Sequence, residues 1–539
     1  KDKNIMEYIY LISLLPFSSK YLNIVCFINC FCMICSFCIS VFLFIKLFQL
    51  NNDTPLYFYP LIQSSNNFVD WSLRLDLYVS ILLLVVTFVS SIVIIYSFDF
   101  FKDRYLNLKF TRNLSLLTFG MLIIISSNNL IQFFVAWQII LFSFFLLFKR
   151  VKENYTFLKN GKIFLHNRAS DLGIFLSLYL LYTLNNSIYF ETIFESNNLI
   201  NNNIYFIGTI INKAELSIIL LFFSVLLRFR QFFISNCIYD IRDINIPTLS
   251  LIFCSALIPL FIFCTFRFFP LIYSSPNFLN IMVALSFCLI IIFIYLSFNT
   301  TNIKCVISYL ASSQTCIIFY IFCLKEYHAA MFYFITLSLS ITMLYLSLGF
   351  IILKLNNISN VKDMGGLVFK MPSIFIFTLI AFFSISGIPF FSGYYSNKVI
   401  ISSLYFSQQT LFIPSLLLGI IVSFSISYVL LKNILLIFFG NNNGNIHQFS
   451  KINESSIINK LIFICLGICI IFSGWLIKNL FYGSNAEYLW SLLIHDEVGF
   501  SIRPEVNSSD KFKNLLIFSS LFGIFFAFIN HIIMPFILN

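Results

Sequence analysis

The chain is 539 residues long, 59% hydrophobic and only 10% charged, with a mean hydropathy of +0.92. No soluble domain of this length hides so much apolar surface, so the composition leaves a polytopic membrane protein. The formal charge of +11 is not a nucleic-acid signal, because its distribution along the apolar runs reports topology instead.

The apolar runs are continuous and lack the period-2 alternation of a barrel, which selects helices over strands. They predict about 14 or 15 spans at the usual length. These fall at 5–17, 21–49, 72–97, 113–128, 129–148, 162–184, 213–233, 248–266, 278–298, 303–323, 328–352, 372–390, 411–438, 459–478 and 513–538. The start carries no pattern of a cleavable signal peptide. In the second span Cys26, Cys30, Cys32, Cys35 and Cys38 include two CxxC spacings. With no His or acidic residue nearby, they read as small apolar residues, not as metal ligands or a disulfide.

The third span opens WSLRLDLYVS, with Asp76 near its outer end, where a carboxylate still reaches water. Cations gather at 99–112 and 149–168, two spans apart, whereas 50–70 and 185–204 contain no Lys or Arg. By the positive-inside rule the basic loops face the matrix or cytoplasm. The fifth span, NLIQFFVAWQIILFSFFLLF, carries Trp137 and Gln138 near its middle, and the sixth carries Arg168 and Asp171 inside or just below it. An ionisable residue within a span costs about 2.5–3.5 kcal/mol, so it marks a protein interior or a water path.

The seventh span runs into RFRQFFISNCIYDIRDINIP. Arg228 and Gln231 share a helix face there, and either snorkelling arginines or a buried cationic site accounts for them. Lys304 opens the tenth span, followed by the polar run Ser308, Ser312, Ser313 and Gln314, of the kind that bonds helix to helix. The next span has only Ser, Thr and Tyr as polar groups. After the loop DMGGLVFKMP, the segment GIPFFSGYYSNK places Gly387, Pro389 and Gly393 in one span, which predicts a broken helix with Asn397 and Lys398 just beyond it. Asn-rich tracts at 185–203 and 441–445 read as loops, and 479–512 is mixed, with a short interfacial helix around Ala486–Ile494.

The stretches LDLYVSILLLVVTFVSSIVIIYS, SSNNLIQFFVAWQI, HNRASDLG, KCVISYLASSQ, DMGGL and GIPFFSGYYS, in this order, resemble the chain 5 family of NADH-ubiquinone oxidoreductases. These are the distal antiporter-like membrane subunits of respiratory complex I. The resemblance covers roughly 70–520. It implies an all-α polytopic fold of two inverted five-helix repeats, each with a broken helix. The N-terminal spans and outer loop then occupy 1–71, the repeats 72–270 and 271–440, and the C-terminal spans with a shortened lateral segment 441–539. It further implies the mitochondrial inner membrane, and the abundance of Phe, Ile, Leu, Asn and Lys agrees with AT-rich organelle coding. The partners implied are the sister chain 4, other membrane-arm and accessory subunits, and lipids such as cardiolipin, with no nucleic acid. No cofactor is expected in this chain; FMN, iron–sulfur clusters and ubiquinone belong elsewhere in such a complex, and redox catalysis with them.

The departures from the family pattern concern the proton path itself. The Glu after the Trp of the fifth span is Gln138, the seventh-span Lys is Arg228, and the eighth-span His is Phe253. The eleventh-span HxxHA…K pattern falls on Tyr333, Leu337 and Ile341. The SKD after the second break becomes Ser396-Asn397-Lys398, while Asp171 and Lys304 match. Gln138 cannot titrate and Arg228 does not release its proton in a protein. Translocation is therefore expected to be lost, or rerouted through Asp171, Lys304 and Lys398. Two other readings compete: a free-standing cation/proton antiporter subunit, and a purely structural membrane anchor.

Overall fold

The structure, a computed structural model, describes residues 19–50, 54–63, 68–101, 104–148, 156–194, 203–206, 209–228, 245–273, 275–407, 409–440, 456–482 and 510–538. The expected first span at 5–17, the first helix break between Arg228 and Pro247, and the interfacial helix at 486–494 lie outside these residues.

A long helix α1 (Ser19–Leu50) leads to an antiparallel hairpin, β1 (Thr54–Gln63) and β2 (Phe68–Leu75). Then follow α2 (Leu77–Phe100), α3 (Arg104–Ile125), α4 (Leu130–Phe148), α5 (Thr156–Asn185) and the short α6 (Phe190–Phe194). A second small hairpin, β3 (Asn203–Phe206) and β4 (Thr209–Asn212), precedes α7 (Lys213–Arg228). Next come α8 (Ile246–Arg267), α9 (Phe269–Tyr273), α10 (Pro276–Asn299), α11 (Ile303–Cys323) and α12 (Tyr327–Lys354). The chain closes with α13 (Pro372–Ser386), α14 (Ser392–Ser407), α15 (Gln409–Phe438), α16 (Ile457–Tyr482) and α17 (Asp510–Leu538). Among the described residues, 11 helices are long and apolar enough to cross a membrane, and α13 is a shorter apolar helix.

Local chemistry explains the boundaries. Proline stands in the first turn of α8, α10 and α13, where its missing N–H costs nothing. Asn302 caps α11 by accepting the Lys304 N–H at 3.1 Å. In α8, Pro259 has no N–H for the Ser255 carbonyl, and the ladder slips to a π segment over Ile252–Leu257, with the Ile258 N–H reaching Phe253. The third span begins five residues later than its apolar run suggests, because Trp71–Leu75 is spent on β2.

Two sets of bonds define the ends of the bundle. At the basic end Ile303 N–H donates to Ser359, Val361 N–H to Thr301, and Val368 N–H to Phe438. Ser456 hydroxyl donates to the Asp99 carboxylate there as well. At the opposite end β2 joins the α3–α4 turn through Arg74 N–H to Ser126, and Phe190 N–H donates to Asn128. The core sits around α12, which is buried along its length and is tied to α2 by the Tyr96 hydroxyl on the Leu346 carbonyl at 3.1 Å. Lipid gives helices no apolar drive to associate, so small residues set the crossings. Gly173 lies on Ser224, Gly349 on Ile246, Gly393 on Ser384 and Gly474 on Ser392.

Candidate functional site

Among the described residues, the expected site residues Asp171, Lys304 and Lys398 fall in two polar clusters. The first joins α4 and α5 at the middle of each helix. Trp137 is fully buried, and its indole N–H donates to Asp171 Oδ1 at 3.0 Å. Arg168, one turn earlier on α5, places a guanidinium nitrogen 3.2 Å from Asp171 Oδ2; its side chain is half-exposed while that of Asp171 is buried. Gln138, the next residue after the tryptophan, is half-buried. The structure therefore brings Asp171 together with Trp137 and Arg168, and the glutamine that follows the tryptophan has no titratable proton. Arg228 is the last residue of α7.

The second cluster runs across α11, α12 and α14. Lys304 is buried in the first turn of α11. Three turns on, Gln314 Oε1 accepts the Tyr333 hydroxyl of α12. One turn along α12 the Thr336 hydroxyl donates to Ser396 Oγ of α14 at 3.2 Å, and Ser396 in turn reaches the Gly393 carbonyl. Lys398, two residues further, holds its ammonium 4.3 Å from the Tyr394 ring centre, a cation–π contact. Leu337 and Ile341 are both buried. Phe253, in the π segment, stacks on Tyr345 of α12 at 5.9 Å with rings 19° apart. Between Lys304 and Lys398 the second cluster thus offers hydroxyls and an amide, with the Phe253–Tyr345 rings stacked further along α12. Hydroxyls pass a hydrogen bond along, but they do not hold a charge at ordinary pH.

The second break is present as the sequence predicts. Gly387 ends α13 in the left-handed region at φ 74°, and Phe390 adopts φ 76° before α14 begins. Gly393 fits directly against the Ser384 carbonyl, a space that admits no β-carbon.

One cluster is absent from the sequence expectations. Asp76 does not reach water: it is 4% exposed and bridges two arginines at the outer end. Arg267 Nη1 lies 3.0 Å from Asp76 Oδ2, and Arg74 Nε lies 3.0 Å from Oδ1. Arg74 also reaches Glu191 at 3.5 Å, and Arg267 donates to the Ser127 carbonyl at 3.1 Å. The Arg267 guanidinium sits 5.5–5.6 Å from the rings of Tyr78, Phe190 and Phe263. Burial works against the Arg74 charge, but the Asp76 and Glu191 carboxylates outweigh it and hold the guanidinium above its ordinary range. Asp76 and Arg267 stand 191 residues apart, so besides Asp76 itself the isolated charge within FIFCTFRFFP is the signal the sequence holds for this site. Among the described residues no group of three or more His, Cys, Asp or Glu could hold a metal ion, and Cys26 to Cys38 run along α1 as free thiols.

Comparison with known proteins agrees with this architecture. A chain 5 of NADH-ubiquinone oxidoreductase from Chondrus crispus is 27% identical over 513 residues, covering 93% of this chain and 76% of that protein. The chain 5 of Acanthamoeba castellanii is 26% identical over 469 residues, covering 85% and 68%. Among solved structures, a chain of the Mrp complex from Dietzia sp. superposes with a TM-score of 0.74 at 13% identity, over 93% of this chain and 55% of that one, a likeness of fold. The transmembrane family described as NADH:quinone oxidoreductase/Mrp antiporter matches residues 127–423, more than half of the sequence, and the chain belongs to that family.

Proposed function

We propose that the chain is a membrane-arm subunit of a proton-translocating NADH:ubiquinone oxidoreductase of the mitochondrial inner membrane, and that its own proton axis is impaired. It assembles with the sister antiporter-like subunit, accessory subunits and lipids such as cardiolipin, and leaves FMN, iron–sulfur and ubiquinone chemistry to other chains. The chain 5 relatives from Chondrus crispus and Acanthamoeba castellanii support that assembly. The carrying observation for the impairment is the buried face of α12, where Leu337, Ile341 and Tyr333 stand beside the Phe253–Tyr345 stack. A pumping axis needs a group that loads and releases a proton when a neighbouring charge changes. Neither Gln138 nor Arg228 does so.

A second reading keeps the pump and reroutes it. The Gln314–Tyr333 and Thr336–Ser396 bonds link α11 to α14 and favour a hydroxyl path ending at Lys398. Lys304 and Asp171 are the other ionisable groups available to it. The proton-to-electron ratio of the intact enzyme in sealed liposomes separates the two. A ratio clearly below that of relatives with the full Glu–Lys axis supports impairment. An equal ratio overturns it and points to Asp171, Lys304 and Lys398.

A further inference from the structure

Two free cysteines stand one turn apart on α16, and neither takes part in the clusters above. Cys465 is exposed and Cys469 half-buried. Their spacing sets the β-carbons about 5–6 Å apart on one helix face. The two thiols meet there in a hydrogen bond. They lie about 12 and 18 Å along a helix of about 39 Å, inside a hydrocarbon core of about 30 Å centred on it. Among the described residues Leu461, Ile464, Ile468 and Phe472 face outward beside them. The pair is therefore a dithiol set in lipid, not in water.

Spacing and solvent decide what such a pair can hold. A direct disulfide needs β-carbons about 3.5–4.5 Å apart, closer than one helical turn allows. A bridge with one more atom between the sulfurs spans the gap. Hydrocarbon also selects on charge, because an ionised group at this depth is costly. Two thiolates on Cu(I) would carry a net negative charge, which the lipid disfavours. Zinc seeks four ligands, and among the described residues no group of three or more His, Cys, Asp or Glu could hold it. A trivalent organoarsenical meets both conditions. It bridges two sulfurs through one atom, stays neutral, and arrives through the lipid.

We propose that Cys465 and Cys469 form a chelating site for neutral, soft thiophiles of the trivalent organoarsenical class. Each sulfur forms a bond to arsenic as the arsenic–oxygen double bond breaks. The two thiol protons leave with that oxygen as water. Arsenic stays trivalent, so the step needs no oxidant or reductant. Cys26 and Cys30 repeat the spacing on α1, but Cys26 is buried and turned from the lipid. The site does not depend on whether protons pass through the chain.

The test treats the intact complex, in vesicles of its own membrane lipid, with phenylarsine oxide. A wash with mercaptoethanol follows, and then N-phenylmaleimide, a lipid-soluble thiol label. Mass spectrometry reads the label on Cys465 and, as control, on Cys288, an exposed single thiol of α10. Cys465 is expected to lose its labelling while Cys288 keeps it, and dimercaptopropanol is expected to restore it. In Cys469→Ser the arsenical is expected to leave Cys465 open to the label. Equal labelling of Cys465 with and without the arsenical overturns the proposal, as does protection that survives in Cys469→Ser or extends to Cys288. A Cys465 that takes no label even before the arsenical overturns it too, because the pair is then covered.

Discussion

At the scale of single residues, the chain places its strongest charge network at the outer end, not on the expected proton axis. Asp76 is held from two sides, and Arg267 binds Asp76, the Ser127 carbonyl and three aromatic rings at once. Removing one partner of a buried pair costs about 3–5 kcal/mol when the other is left bare. Arg74 remains beside Asp76, so Arg267→Ala is expected near the lower end of that range. Arg267→Lys keeps the charge but cannot span both acceptors, and should fall between wild type and Ala. The midpoint of thermal unfolding of the purified complex reads this order; an unchanged midpoint in Arg267→Ala would show that the network is merely a surface pair. A milder change is expected at Trp137→Phe. It removes one hydrogen bond to the Asp171 carboxylate, worth about 1.5–3 kcal/mol, and keeps the ring packing.

At the scale of elements, small residues decide how the broken helix closes. A β-carbon at Gly393 collides with the Ser384 carbonyl, a backbone atom that cannot swing aside. Gly393→Ala should therefore splay α13 from α14 and sharply reduce assembled complex on a native gel. Gly419→Ala is the control, since its β-carbon meets only the flexible Leu516 side chain at 3.3 Å and should assemble normally. This break was legible in the sequence, because Gly387, Pro389 and Gly393 are residues that a continuous helix does not tolerate cheaply. The α11 span at 303–323 was legible to the residue from its apolar run, and the structure adds the Asn302 cap that begins it. Other elements were not. The alternation in WSLRL belongs to β2 and was absorbed into the apolar run of the third span. The π segment of α8 follows from Pro259 only once the helix ladder is seen. The Asp76–Arg267 pair is formed by tertiary packing across 191 residues, which no local spacing encodes.

At the scale of the whole molecule, the antiporter-like fold packs with Gln138, Leu337 and Ile341, none of which titrates, along its central helices. The bundle does not need titratable groups there for stability. Tyr345 stacks on Phe253, Leu337 and Ile341 pack in the core, and hydroxyls bond to the carbonyls of their own helices. A core of packed apolar groups is often as stable as one of buried ion pairs, so folding alone does not call for ionisable groups here. If the axis is impaired as proposed, one substitution does not restore it, because a proton path works only as a series. Gln138→Glu alone returns a carboxylate at mid-depth, but Arg228 stays charged and Ile341 offers no proton. The single variant is therefore expected to leave the proton-to-electron ratio in liposomes unchanged. The triple variant Gln138→Glu, Arg228→Lys and Ile341→Lys supplies the missing carriers and should raise the ratio if the surrounding cavities still admit water. A rise from Gln138→Glu alone would mean that Asp171, Lys304 and Lys398 already complete a path, and the subunit would then be a rerouted pump rather than a scaffold.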